Sequence, residues 1–143
     1  MRARPDLELP MLRSFATAVL LLGAASAQGT DALQGAWQLQ SGEFINPEGA
    51  LVDYASKQLA GTKVLADGRF AFTTTSGGKF WAGGSGTYRS EGGQYVETPL
   101  MASYPLENGG SYHFRYTLEG DVWTLERWDG ERRVEREVWK RAR

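Results

Sequence analysis

YHFRYTLE (112–119), GD (120–121), VWTLERW (122–128), DG (129–130) and ERRVEREVWKR (131–141) run consecutively, and their reading decides the fold. Apolar and polar residues alternate along each long segment, the period of a half-buried β-strand. The short Gly- and Asp-containing segments between them suit tight hairpin loops. If Asp129-Gly130 is a two-residue loop, Trp128 pairs with Glu131, Leu125 faces Val134 and Trp123 faces Arg136. A two-residue Gly120-Asp121 loop sets Leu118 opposite Trp123 and Tyr116 opposite Leu125. One face then carries Tyr112, Phe114, Tyr116, Leu118, Trp123, Leu125, Val134, Arg136 and Val138. The other carries His113, Arg115, Thr117, Glu119, Thr124, Glu126, Glu135 and Glu137.

The same grammar extends towards the N-terminus. Turn signals stand at Asp67-Gly68, Gly77-Gly78, Gly92-Gly93 and Asn108-Gly109-Gly110. They divide the chain into eight expected strands, near 35–45, 61–66, 69–75, 79–90, 94–101, 111–119, 121–128 and 131–141. A short helix over residues 53–59, capped by Asp53, is the one helix candidate, in the long connection after the first strand. Hairpin counting places Tyr88 beside Glu97, Leu65 with Phe70 and Lys63 with Phe72. At Gly77-Gly78 a two-residue loop turns Phe80 outward, so a three-residue loop or a bulge at Gly83-Gly84 is expected to restore parity. The fold class is therefore all-β: an eight-stranded antiparallel up-and-down barrel, in which closure removes exposed edges. A two-sheet sandwich is the alternative.

Residues 1–27 read differently. Arg13, the apolar run Phe15–Gly23 and the small-residue site Ala25-Ser26-Ala27 form a secretory signal pattern, with Met11 the more ordinary start. The run is shorter than the roughly 18 residues of a membrane span. Cleavage after Ala27 leaves one domain, residues 28–143, in the periplasm or outside the cell and with no membrane span. The chain has 143 residues, a formal charge of −1, one His and no Cys. That balance argues against nucleic acid as a partner. It also excludes disulfides, thiol catalysis and a His- or Cys-built metal centre, and no cofactor is expected.

The inferred interior is aromatic: Phe70, Phe72, Tyr88, Tyr95, Tyr112, Phe114, Tyr116 and Trp123, with Lys63, Glu97, Arg127 and Arg136 among them. An eight-stranded barrel either fills with side chains or holds one small ligand. In the binding reading, Phe72, Tyr88, Tyr95, Glu97, Tyr112, Phe114, Tyr116, Trp123 and Arg136 line the ligand site. In the packed reading, Arg136 stacks on Trp123 and pairs with Glu97. Arg127 and Arg132 face one another at a strand end, where like charges need solvent, and read as rim residues. Catalysis is not expected. His113 points outward, no nucleophile elbow surrounds Ser111, and Gly83–Gly86 lacks the Lys-Ser/Thr of a phosphate loop. A Glu97–Tyr88 acid–base pair is the enzymatic alternative.

The segment Gly35-Ala-Trp37 at the start of the first strand resembles the Gly-x-Trp motif that opens lipocalins. Lys63–Phe72, Gly84–Tyr88, Tyr95–Glu97 and Val138–Arg141 resemble the small bacterial secreted lipocalin-like proteins, so the likeness spans Leu33 to Arg141. The chain differs in lacking Cys pairs and in being shorter than typical lipocalins. The resemblance implies an eight-stranded calyx holding a small hydrophobic or amphipathic ligand. It also implies that Trp37 plugs the closed end under a basic cover from the last strand, Arg141 or Lys140. A solid barrel working through its outer surface is the rival function.

Overall fold

The computed structural model describes residues 31–106 and 110–143. The signal segment expected over residues 1–27, with the start expected at Met11 and cleavage after Ala27, and Asn108-Gly109 lie outside the described residues. Nine strands follow in chain order: β1 (Gly35–Ile45), β2 (Leu51–Asp53), β3 (Leu59–Ala66), β4 (Arg69–Ser76), β5 (Lys79–Glu91), β6 (Gln94–Ala102), β7 (Tyr112–Glu119), β8 (Val122–Asp129) and β9 (Arg132–Arg141). All pairings are antiparallel between neighbours, and β1 also pairs with β9 from Trp37↔Arg141 to Phe44↔Glu135. Strands β1 and β3–β9 thus close an eight-stranded barrel. The ninth, β2, is a three-residue flap on the upper half of β1.

The turn chemistry explains the tight meander. At Asp67-Gly68, Gly77-Gly78 and Gly92-Gly93 both central residues have positive φ, which lets a two-residue loop match the strand twist. The expected helix is a single 3-10 turn, Tyr54–Lys57, with Asp53 accepting from the Ala55 N–H and Gln58 in the left-handed region ending it.

Two bulges correct the counted registers. Ser76 pairs with Lys79, so Gly77-Gly78 is a two-residue loop and Phe80 does point outward; Trp81 is the extra residue that restores parity, not Gly83-Gly84. In the last hairpin Asp129 pairs with Arg132 and Trp128 with Arg133, but Arg127 pairs with Glu135. Val134 is left over as a bulge. Moving the turn by one residue would have kept every facing; the bulge reverses them beyond it. Glu135, Glu137 and Trp139 therefore face inward, whereas Arg136 and Val138 face outward.

One end of the barrel is solid. Trp37, Trp123, Tyr95, Leu33, Leu65 and Leu125 are fully buried there, joined by Trp139 and Phe70. The Trp37 and Trp123 ring centroids lie 5.2 Å apart, and Tyr95 meets Trp123 edge-on at 5.0 Å. Gly84 and Gly86 face inward on β5 opposite Phe72 and Phe70. A side chain at Gly86 would run into the Thr98 and Pro99 backbone. The Arg141 guanidinium lies 4.2 Å over Trp37 and donates to the Gln34 and Ala32 carbonyls, while the indole N–H of Trp37 donates to the Leu33 carbonyl at 2.8 Å. Asp31 accepts from the Tyr88 and Ser90 hydroxyls, fastening the chain across that end.

Candidate functional site

Above this floor the barrel is hollow. A cavity of 320 Å³ opens towards the end where Ile45, Trp81 and Tyr104 stand. Phe72, Tyr112, Phe114, Tyr104, Leu39, Phe44 and Trp139 supply its apolar walls. Among the described residues five charged side chains reach it: Lys63 from β3, Glu97 from β6, Arg127 from β8, and Glu135 and Glu137 from β9.

Lys63 stands at the centre of the floor. Its ammonium contacts Glu97 Oε1 at 2.6 Å, and both residues are buried, at 4% and 6% exposure. The rings of Trp139, Trp123, Tyr95 and Phe72 surround it, with centroids 5.2–5.8 Å from Nζ. Such a cation–π cage partly replaces the water the ammonium has lost. Burial pulls the Lys63 pKa down, but Glu97, Glu137 and Glu135 outweigh it, so the net shift is upward and the amine stays charged. Tyr95 donates to the same Glu97 oxygen at 2.8 Å. Burial and then Glu97 push its phenol pKa upward, which keeps it a donor. The Trp123 indole N–H beneath has no partner among the described residues.

The β9 wall holds a like-charge pair. Glu135 and Glu137 occupy successive inward positions. Arg127 Nε meets Glu135 at 2.8 Å; Glu137 accepts from the Tyr54 hydroxyl at 2.9 Å and from the Trp139 indole at 2.8 Å. Burial, with the Glu137 charge adding to it, lifts the Glu135 carboxyl to about 7 against the opposing pull of Arg127. Burial and Glu137 likewise push the Tyr54 phenol upward, so it holds its proton and donates. Tyr54 reaches this position because Gly42 leaves room: a Cβ there would stand 2.5 Å from the Tyr54 ring. The 3-10 turn thus lays one buried phenol over part of the mouth.

Of the residues expected to line a ligand site, Phe72, Glu97, Tyr112 and Phe114 border the cavity. Tyr95, Trp123 and Tyr88 belong to the packed floor, and Tyr116 packs against it. Arg136 is outside. It pairs in register with Glu43 and Glu126, and it borders a shallow outer depression with Thr117 and Thr124. It neither faces Trp123 nor reaches Glu97, because the Val134 bulge turned it away. Arg127, expected against Arg132, instead pairs with Glu135. Tyr88 sits beside Glu97 in the ladder, but its hydroxyl goes to Asp31 while Glu97 takes Tyr95, so no Glu97–Tyr88 couple forms. Hairpin counting missed Glu135, Glu137 and Trp139 as inward residues. A usable signal existed: Arg141, the cover inferred for Trp37, shares their parity.

No three His, Asp or Glu side chains among the described residues are grouped so as to hold a metal ion, and no helix there is long and apolar enough to cross a membrane. Comparison of the chain with protein-family models and with curated proteins finds no match to either. Fold and site define a closed antiparallel barrel, solid at one end and hollow at the other. The hollow half is aromatic in its walls and charged in its floor.

Proposed function

We propose that this chain is an exported, lipocalin-like barrel protein that binds one small hydrophobic or amphipathic molecule in the upper cavity, without catalysis. The observation that carries the reading is the 320 Å³ aromatic-walled hollow above a packed floor, within the usual size range of small-molecule sites. A barrel acting only through its outer surface gains nothing from leaving that space unfilled, since voids cost dispersion contacts. The guanidinium of Arg141 over Trp37 supports the lipocalin-like assignment. The signal pattern of residues 1–27 supports export, and N-terminal sequencing of the exported protein should begin at Gln28.

The binding test uses N-phenyl-1-naphthylamine, a neutral dye that brightens in apolar surroundings. Titration into the wild-type protein should saturate at one site per chain. Ala82 borders the cavity on β5, so Ala82→Trp fills the hollow and should abolish that saturation while the far-ultraviolet dichroism stays barrel-like. Equal dye binding by the two proteins would place the dye elsewhere and defeat the reading.

A further inference from the structure

We infer that the cavity selects a ligand carrying a cationic amine on an apolar body, with the amine seated against the carboxylates of Glu97, Glu135 and Glu137. This rests on the cavity reading above and adds the charge of the occupant. Among the described residues three carboxylates and two cations reach the cavity, and both cations are already engaged: Lys63 by Glu97, and Arg127 by Glu135. Glu137 has, among the described residues, only neutral donors, the Tyr54 hydroxyl and the Trp139 indole. Glu97 accepts both its hydrogen bonds through Oε1. Its Oε2 has no partner among the described residues, although the residue is 6% exposed and borders the cavity.

With Glu135 ionised, the hollow therefore lacks one positive charge and offers an unfilled acceptor. Beside the buried Lys63–Glu97 floor, that deficit favours a cationic over an anionic guest. A carboxylate ligand would meet three anions and find no free cation. A neutral ligand would leave Glu135 and Glu137 repelling one another. An ammonium group relieves that repulsion, donates to Oε2 of Glu97, and lays its apolar body against Phe72 and Tyr112.

The acidity of Glu135 adds a second readout. The charged and titratable groups around it are Glu137 on its own strand, Arg127 from β8, Lys63 from β3, Tyr54 from the 3-10 turn and Tyr104 from the β6–β7 connection. Of these, Glu137 raises its pKa whereas Arg127 and Lys63 lower it. With Glu135 lifted to about 7, raising the pH through neutrality completes its ionisation and strengthens amine binding.

Isothermal titration with hexylamine, hexan-1-ol and hexanoate tests the inference on the full barrel. At pH 8 hexylamine should bind at least about tenfold tighter than hexan-1-ol, and hexanoate weakest, the scale of one charge-assisted hydrogen bond. Between pH 8 and pH 6 the amine-over-alcohol ratio should fall severalfold, and Glu135→Gln should flatten that fall. Glu137→Gln should lower the ratio by about tenfold at pH 8. Hexan-1-ol or hexanoate binding as tightly as the amine would overturn the inference and leave the cavity reading standing. Binding of none of the three, together with failure of the dye titration, would remove both. Should either Gln variant fail to fold, the three-ligand ranking on the wild-type protein alone decides.

Discussion

Lys63 and Glu97 show how a charge survives inside an aromatic barrel. Neither is tolerable there alone, and 2.6 Å separates them in the floor of the hollow. Hairpin counting from Asp67-Gly68 and Gly92-Gly93 turns both inward, so their facing is legible in the sequence. Their contact is not, because the partners come from different hairpins and their meeting depends on how β3 curves towards β6. Removing one partner strands the other. Lys63→Met should therefore destabilise by about 3–5 kcal/mol, and Lys63→Met with Glu97→Gln should recover most of that loss. Urea unfolding of the wild type, both single variants and the double variant measures it, and additive losses would refute the pairing. Glu135 works in the opposite sense. Its folded pKa of about 7 lies above the ordinary carboxyl value, so the folded protein holds that proton more tightly than the unfolded chain does. Its contribution to stability is full below the ordinary value and is lost as pH rises towards 7. The loss is on the order of 3 kcal/mol. Between pH 5 and pH 8 the wild-type protein should lose more stability than Glu135→Gln, and parallel profiles would show that Glu135 is not perturbed.

At the scale of elements, β9 decides what the cavity contains. Its sequence, ERRVEREVWKR, puts charges on both faces, Arg133, Glu135, Glu137 and Arg141 on one and Arg132, Arg136 and Lys140 on the other, so hydropathy does not tell inside from outside. Only the register can, and the register turns on Val134, which has no ladder partner opposite β8. Strands β7 and β8 were readable because Phe114, Tyr116, Trp123 and Leu125 mark one face unmistakably. Strand β9 has a single comparable marker, Trp139, placed beyond the bulge. The bulge carries a direct prediction. Deleting Val134 leaves Arg133 and Glu135 as consecutive partners of Trp128 and Arg127, so the regular ladder accepts it at a cost of about 1–2 kcal/mol. Deleting Val138, which pairs with both Thr124 and Ser41, forces a slip that turns inward residues out and should prevent folding. Thermal melts of the two deletions distinguish these outcomes, and equal tolerance would mean that Val134 is not the bulge.

For the whole molecule, the meander and its closure follow from regularly spaced turn dipeptides, and these were legible from the chain alone. The division into a solid and a hollow half was not. A void depends on summed side-chain volumes and on where β1 bends at its bulge between Leu39 and Ser41, neither of which a period-two pattern records. That division carries the functional claim: Trp37, Trp123, Tyr95 and Trp139 pack as one floor, and the upper half above them is where the proposed guest would sit. The most direct test is native mass spectrometry of the protein purified gently from its own host, beside Ala82→Trp prepared identically. A discrete added mass of small-molecule size on the wild-type protein, absent from the filled variant, is the expected result. A wild-type protein that carries no such mass, and takes up none when incubated with a lipid-and-metabolite extract of that host, would contradict the account.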